Sequence, residues 1–264
     1  MFIDTHAHLN FPDYKKGLDE VIKRSVKNGV EKIICVSSSL KDSIKAIEIA
    51  QKYPNVVYAA VSIHPHQTDF QEKLSLEKQI KELNKLAKKK GVIAIGECGL
   101  DFSLAPPMEK DRSEKEQIFL FRKQIEIALA LNLPLLIHAR KALPQVLEIL
   151  HSFQNKPRGV FHCYSGGKNN IKKVEKLGFS FGLDGNLTYD VGLQNVVRKI
   201  PLEEILLETD SPFLSPEPYR GLRNEPKNVK IIAEFLAQLK GLPLKQVIKT
   251  IAKNTHATFF GQTR

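Results

Sequence analysis

Cysteine is scarce in this chain: there are three, Cys35, Cys98 and Cys163, and no Cys-x-x-Cys pair. An odd count without that spacing argues against a disulfide framework and against a zinc ribbon. Free thiols are expected, and they suit a reducing cytoplasm. Long apolar runs are missing as well. The longest, residues 127–137, is interrupted by Asn132 and Pro134. It falls far short of the roughly 20 residues that a membrane helix needs. A strand-like run begins at Phe2, so no signal or transit peptide is expected. Low-complexity segments and long linkers are absent. Acidic residues are in deficit, 29 against 40 basic ones, for a formal charge of +11. Such a balance attracts polyanions. Much of the excess, however, sits in one helix-like stretch, Lys78, Lys81, Lys85, Lys88, Lys89 and Lys90, as an ordinary solvated face would.

What is present is ordinary for a folded enzyme. The 264 residues are 42% hydrophobic and 26% charged, which excludes disorder, collagen and coiled coil. That length buries a large core without disulfides or structural metal and is read as a single domain over residues 1–264. Eight short apolar runs recur, at 2–6, 32–36, 56–62, 92–97, 134–138, 158–162, 179–183 and 204–208. They are rich in Val, Ile, Leu and Phe without strict alternation, the pattern of parallel strands buried on both faces. Helix-like stretches follow at 17–28, 42–52, 74–90, 113–131, 143–153, 170–177, 193–199, 227–239 and 245–252, with a short last one near Ala257. Ser113 and Glu116 form a capping box at the fourth.

Eight strand–helix alternations predict an α/β fold, a TIM-type (β/α)8 barrel. The competing fold, an open doubly wound sheet, would carry a glycine-rich phosphate turn after its first strand; none is there. The connections 62–92 and 208–227 are long, and barrel sites are built on such loops.

Chemistry-bearing residues fall at the ends of these runs. His6 and His8 end the first, Glu97 the fourth, His138 the fifth and His162 the sixth, while Asp210 follows the eighth. In a closed barrel these ends converge on the C-terminal mouth. Residues i and i+2 of a strand share a side, so His6 and His8 enter one site together. Four imidazoles and two carboxylates are too many for one tetrahedral ion. They suit two divalent ions sharing a carboxylate and activating a water. Nitrogen-rich ligation favours zinc, manganese, iron or nickel, magnesium preferring oxygen.

The motifs Asp4-Thr5-His6-Ala7-His8, His64-Pro65-His66, Gly96-Glu97-Cys98-Gly99-Leu100-Asp101, His138-Ala139-Arg140, His162-Cys163-Tyr164-Ser165-Gly166, Glu208-Thr209-Asp210-Ser211-Pro212 and Arg220-Gly221-Leu222-Arg223-Asn224-Glu225-Pro226 occur in that order. With them the chain resembles the TatD family of metal-dependent deoxyribonucleases, within the amidohydrolase-like metallo-barrels, over essentially its whole length. The resemblance implies that His6 and His8 hold one metal with Asp210 close by, that His138 and His162 hold the second, and that Glu97 bridges them. It implies Mg²⁺-dependent hydrolysis of DNA, single-stranded or at its ends, as a 3′-to-5′ exonuclease. Phe102 stands where the family often has Tyr, and Ser62 where Gly often precedes His-Pro-His; both bear on substrate preference.

Glu97 and Asp210 are the expected catalytic groups, Asp210 taking the proton of the attacking water. Arg140 lies two residues past His138 and faces the same mouth; it, Arg220 and Arg223 are expected to clamp phosphate. His64 and His66 are expected in the pocket, and Asp101 and Glu225 as orienters of ligand histidines. Asp4 and Glu208, each two residues before a ligand, are expected beneath the ions. Cys98 and Cys163 are expected to face away as small apolar residues. Phe11, Tyr164 and Phe213 are candidates to stack on a base. The alternative activity is hydrolysis of an ester, lactone or amide, such as an aminoacyl ester of transfer RNA, on the same barrel. No extended apolar stripe demands a partner, so a monomer is expected.

Overall fold

The eight apolar runs become eight parallel strands: β1 (Phe2–Ala7), β2 (Val30–Val36), β3 (Val57–Val61), β4 (Val92–Asp101), β5 (Leu135–Arg140), β6 (Gly159–Phe161), β7 (Phe179–Leu183) and β8 (Ile205–Leu207). They pair in sequence order. These elements come from a computed structural model that describes residues 1–66, 74–106 and 109–261; the rest of the chain lies outside the described residues.

Between the strands run α1 (Leu18–Lys27), α2 (Leu40–Lys52), α3 (Leu76–Leu86), α4 (Glu114–Leu131), α5 (Leu143–Ser152), α6 (Ile171–Lys176) and α7 (Val191–Val197). They are followed after β8 by α8 (Val229–Lys240) and α9 (Leu244–Thr255). The start signals are local. Ser39 and Ser75 each accept a backbone N–H of the first turn, and Ser113 and Glu116 satisfy one another's backbone at α4. The expected stretch 74–90 shortens to α3 because Ser75 takes the cap position and the chain turns into Gly91.

The barrel closes between β1 and the segment after β8. Asp210 N donates to His6 O at 2.9 Å and His8 N to Ser211 O at 2.7 Å. Side chains reinforce the seam: Thr209 donates to both oxygens of Asp4, through its backbone N at 2.9 Å and its hydroxyl at 2.6 Å. Burial pushes the Asp4 carboxyl up to about 8 against these hydrogen bonds. An open sheet would have no such seam.

Strand parity sorts the core into two. Outward residues such as Ile33, Cys35, Ile137 and Phe181 pack against the helices. The alternate residues Ile34, Val36, Ala60, Ala94, Leu136, Val160 and Leu206 form a separate cluster that fills the lumen. Phe259, from the π-helical turn after α9, joins that cluster.

Candidate metal centre

Continuing the lumen positions two residues at a time leads to the mouth. Leu136 leads to His138, Val160 to His162, and Leu206 to Glu208 and Asp210. On β4 the count changes. Ile95 pairs Leu135 but Cys98 pairs Ile137, a register shift that adds one residue to β4. Ala94 therefore leads to Glu97 rather than to Gly96 and Cys98. Gly99 makes the close approach of β4 to β5 possible, since a Cβ there would lie 1.9 Å from the His138 carbonyl oxygen. Gly182 on β7 leaves the space that the Glu208 carboxylate occupies.

The donor atoms converge. His6 Nε2 and His8 Nε2 are 3.2 Å apart. Glu97 Oε2 lies 3.5 Å from the first and 3.7 Å from the second. Asp210 Oδ1 lies 3.7 Å and 3.4 Å from the same two nitrogens. A tetrahedron with edges of about 3.5 Å has its centre about 2.1 Å from each corner, the ordinary bond length of zinc to nitrogen or oxygen. His6 Nε2, His8 Nε2 and Glu97 Oε2 stand at edges of that length and could hold one divalent cation, with Asp210 Oδ1 beside both nitrogens. The other oxygen of Glu97, Oε1, faces His138 Nδ1 at 2.5 Å, His162 Nε2 at 3.7 Å and His64 Nε2 at 3.8 Å. Asp210 Oδ1 is 3.8 Å from His162 Nε2. One carboxylate so presents a different oxygen to each histidine pair.

Three of the four rings meet a partner at the outward nitrogen. His138 Nε2 donates to Asp101 Oδ2 at 2.9 Å. Glu208 Oε1 stands 2.9 Å from His162 Nδ1, and His8 Nδ1 meets the Val36 carbonyl at 3.1 Å. Such partners set the tautomer and aim the other nitrogen at the centre. His6 stacks on His162 with ring centroids 3.6 Å apart, and its Nδ1 is buried with no hydrogen-bond partner among the described residues.

The field at the centre is strongly cation-seeking. Burial alone would raise the Glu97 carboxyl, yet the charges of His162 and His138 and hydrogen bonds from His138 and His6 hold it well below the usual range. Burial likewise opposes protonation of His138, but Glu97 and Asp101 lift it to about 9. His162 is raised further above its ordinary value, against burial, by Glu208, Glu97 and Asp210. His6 is lowered, by burial and by His162.

The loop histidines stand beside this set. The backbone N–H of His66 donates to His64 Nδ1 at 3.1 Å. This makes Nδ1 an acceptor and places the hydrogen of His64 on Nε2, which faces Glu97. Burial lowers His64 to about 3, so the ring is neutral. His66 is buried, 3.5 Å from Asp101 Oδ2, and neither ring nitrogen is hydrogen-bonded among the described residues. Arg140, at the end of β5, and Arg220 are exposed and have no ion pair among the described residues. The Arg220 guanidinium lies 4.1 Å from the Tyr189 ring centroid.

Arg223 and Glu225 are placed differently from the other site candidates. Glu225 takes a two-pronged hydrogen bond from Arg24, at 2.7 and 3.0 Å, and a third from Arg223 at 3.2 Å. Arg223 also donates to the Asp13 carbonyl at 2.7 Å and lies over Tyr14. Neither makes a hydrogen bond or ion pair to the ligand histidines among the described residues. They pin the loop after β8 to α1. Cys98 is fully buried in the layer between the strands and the helices, where the extra residue of β4 turns it. Cys163 is not a simple apolar residue: its thiol donates to Asp184 Oδ2 at 2.6 Å, and its backbone N–H donates to Glu208 at 2.6 Å. Asp184 occupies an inward position of β7 extended beyond Leu183, so the thiol meets a carboxylate rather than the helix layer.

Glu109 was not legible from the sequence. Its Oε2 is buried, 3.9 Å from His64 Nδ1, with no hydrogen bond among the described residues, and burial together with Glu97 raises its carboxyl. It sits in an irregular loop, where no periodicity marks it.

Among the described residues no helix is long and apolar enough to cross a membrane. Residues 3–260 match the family described as TatD related DNase. An uncharacterized metal-dependent hydrolase of Bacillus subtilis, YabD, is 36% identical over 98% of this chain and 99% of its own length. A human protein named deoxyribonuclease TATDN3 is 31% identical over 97% of this chain and 94% of its own. Among solved structures, the TatD homologue YjjV of Escherichia coli superposes with a TM-score of 0.86 at 28% identity, covering 98% of this chain and 97% of that one. A TatD family hydrolase of Entamoeba histolytica gives a TM-score of 0.86 at 27% identity, over 99% and 98%. The chain is a metal-dependent hydrolase and belongs to the TatD related DNase family.

Proposed function

We propose that this hydrolase is a deoxyribonuclease that cleaves phosphodiester bonds at DNA ends, in the 3′-to-5′ direction. The observation that carries the reading is the split carboxylate of Glu97, with one oxygen toward each histidine pair. Above it is a mouth where Arg140 and Arg220 have no carboxylate partner among the described residues. The name of the human relative supports the same substrate.

His6, His8, Glu97 and Asp210 would hold one divalent ion, and His138, His162 and Glu97 a second. Two such ions lower the pKa of a bound water and polarise phosphoryl oxygens. Magnesium is the proposed ion for activity, and manganese, zinc, iron or nickel suit the nitrogen-rich donors.

The chain's own groups do the rest. Asp210 Oδ1, 3.4 Å from His8 Nε2, accepts the proton of the attacking water. The new P–O bond forms in line with the P–O bond that breaks, and the leaving oxygen departs as the strand's 3′ hydroxyl once protonated by solvent. The neutral His64 donates from Nε2 to a non-bridging phosphoryl oxygen, where negative charge accumulates. Arg140 and Arg220 hold phosphates at the rim. The three unpaired cysteines suit work in a reducing compartment, the cytoplasm, and we take the chain to act as a monomer.

The test is hydrolysis of end-labelled single-stranded DNA with Mg²⁺ or Mn²⁺, with Glu97→Ala as control. Metal-dependent shortening from the 3′ end, absent in the control, is expected. Intact DNA with demonstrably metal-loaded protein would overturn the reading and direct the search to aminoacyl esters, lactones and amides.

A further inference from the structure

Phe213 is 49% exposed, yet its backbone is fixed on both sides. Its N–H donates to the Asp210 carbonyl at 2.9 Å. Its carbonyl accepts from Asn224 Nδ2 at 2.7 Å, and the same amide holds the Thr209 carbonyl at 2.8 Å. Asn224 is fully buried. The ring is therefore displayed from a rigid station three residues beyond Asp210.

The ring also continues a wall that starts at the donor set. Phe11 stacks on His8 with centroids 4.5 Å apart and planes 21° apart. Phe213 meets Phe11 edge-on at 6.1 Å and 76°, and His8 at 6.2 Å and 66°. Single exposed apolar side chains are ordinary on protein surfaces. This one is joined ring to ring with a residue of the metal-ligating set, which makes it part of the site's own wall. Leu222, on the same loop, is 65% exposed.

The surroundings define the occupant. The rings of Phe11 and Phe213 offer π faces and carry no hydrogen-bonding group of their own. The centre beside it is built for cations, which draw an anionic oxygen cluster, and Arg220 supplies positive charge from the same loop as Phe213. A ligand that fits both parts has a flat aromatic ring linked to a phosphate. We propose that Phe213, backed by Phe11, is a stacking site for the nucleobase of the nucleotide whose phosphate lies at the metal centre. This rests on the phosphodiesterase reading and adds to it a requirement for a base. With no hydrogen-bonding group on either ring, recognition is by stacking and is tolerant of base identity.

The test is calorimetric binding of dAMP and of 2-deoxyribose 5-phosphate to the Mn²⁺-loaded protein, which needs no turnover. Removing a stacked aromatic costs about 1–3 kcal/mol per base, so dAMP is expected to bind at least about five-fold more tightly than the sugar phosphate. Phe213→Ala should abolish that preference while leaving the sugar phosphate affinity and the metal content unchanged. Phe213→Trp should keep or increase it, and dCMP should resemble dAMP. Equal affinities in the wild type, including no measurable binding of either probe, overturn the proposal. So does a preference that survives Phe213→Ala in a folded, metal-loaded protein. A base preference in a protein that leaves oligonucleotides intact would overturn the nuclease reading and leave the stacking site standing.

Discussion

Asp101 Oδ2 accepts a hydrogen bond from His138 Nε2 at 2.9 Å, while His138 Nδ1 points at Glu97. Asp101 thus decides which nitrogen of His138 faces the centre. Its second oxygen is already committed to Ser103, through the backbone N–H at 2.8 Å and the hydroxyl at 2.5 Å. Asp101→Asn sets an amide donor against one of these N–H groups. We expect divalent metal to bind about 10- to 100-fold more weakly, the usual cost of losing such a support, with the circular dichroism spectrum unchanged. Metal titration followed by elemental analysis checks this. Undiminished affinity would show that Glu97 alone orients the ring.

His64 is expected to act through its Nε2–H. His64→Ala should lower kcat about 100-fold, the scale of one donor to developing charge, with KM changed little. His64→Asn, which restores an N–H, should recover part of the loss. A change confined to KM would make His64 a ground-state contact.

Arg220 rests on Tyr189, whose hydroxyl donates to Asn186 Oδ1. Arg220→Ala should raise KM for DNA about ten-fold and make the log–log salt dependence of binding shallower by about one. Tyr189→Phe keeps the ring and should leave KM near normal. Tyr189→Ala frees the guanidinium and should raise KM with kcat unchanged. Equal loss of kcat in both Tyr189 variants would point to a packing defect instead.

The Glu225 clamp has a pH signature. Burial raises the Glu225 carboxyl, but Arg24, Lys227 and Arg223 outweigh it and hold the group below its ordinary value. A carboxyl lowered on folding stabilises the protein above its unfolded pKa, and that contribution is lost as pH falls through the folded value. Glu225→Gln should therefore cost about 1–2 kcal/mol at pH 7, or roughly 2–4 °C in Tm per kcal/mol. The gap between variant and wild type should close toward pH 3. A gap constant from pH 7 to pH 3 would show that the cost is packing rather than charge.

At the barrel seam, Thr209→Val removes the hydroxyl that Asp4 Oδ2 accepts at 2.6 Å. An unpaired buried acceptor costs about 1–3 kcal/mol, so denaturant midpoints should fall with metal content retained. An unchanged midpoint would mean that the backbone bond from Thr209 N suffices to close the seam.

Much of this molecule is legible in its residues. Runs of branched apolar residues alternating with capped, amphipathic stretches specify buried parallel strands and covering helices, because those patterns have different periods of burial. The ends of the runs carry His6, His8, His138, His162 and Asp210, and convergence of those ends follows from closure of the barrel. Simple two-residue parity even places His138, His162 and Asp210 on the lumen side.

Tertiary structure decided the rest. Parity carried along β4 from Ala94 would turn Glu97 outward with Ile95 and put Gly96 and Cys98 inside. The extra residue opposite Leu135–Ile137 reverses this, and only pairing with β5 reveals it. Arg223 and Glu225 share a motif with Arg220, yet Glu225 pairs with Arg24 and Arg223 donates to the Asp13 carbonyl, each about 200 residues away in sequence. Glu109 reaches His64 from an irregular loop. Cys163 meets Asp184 because β6 and β7 lie side by side. Local sequence sets burial and hydrogen-bonding appetite. Which distant group satisfies that appetite is set by register and loop path, which no run of neighbouring residues encodes.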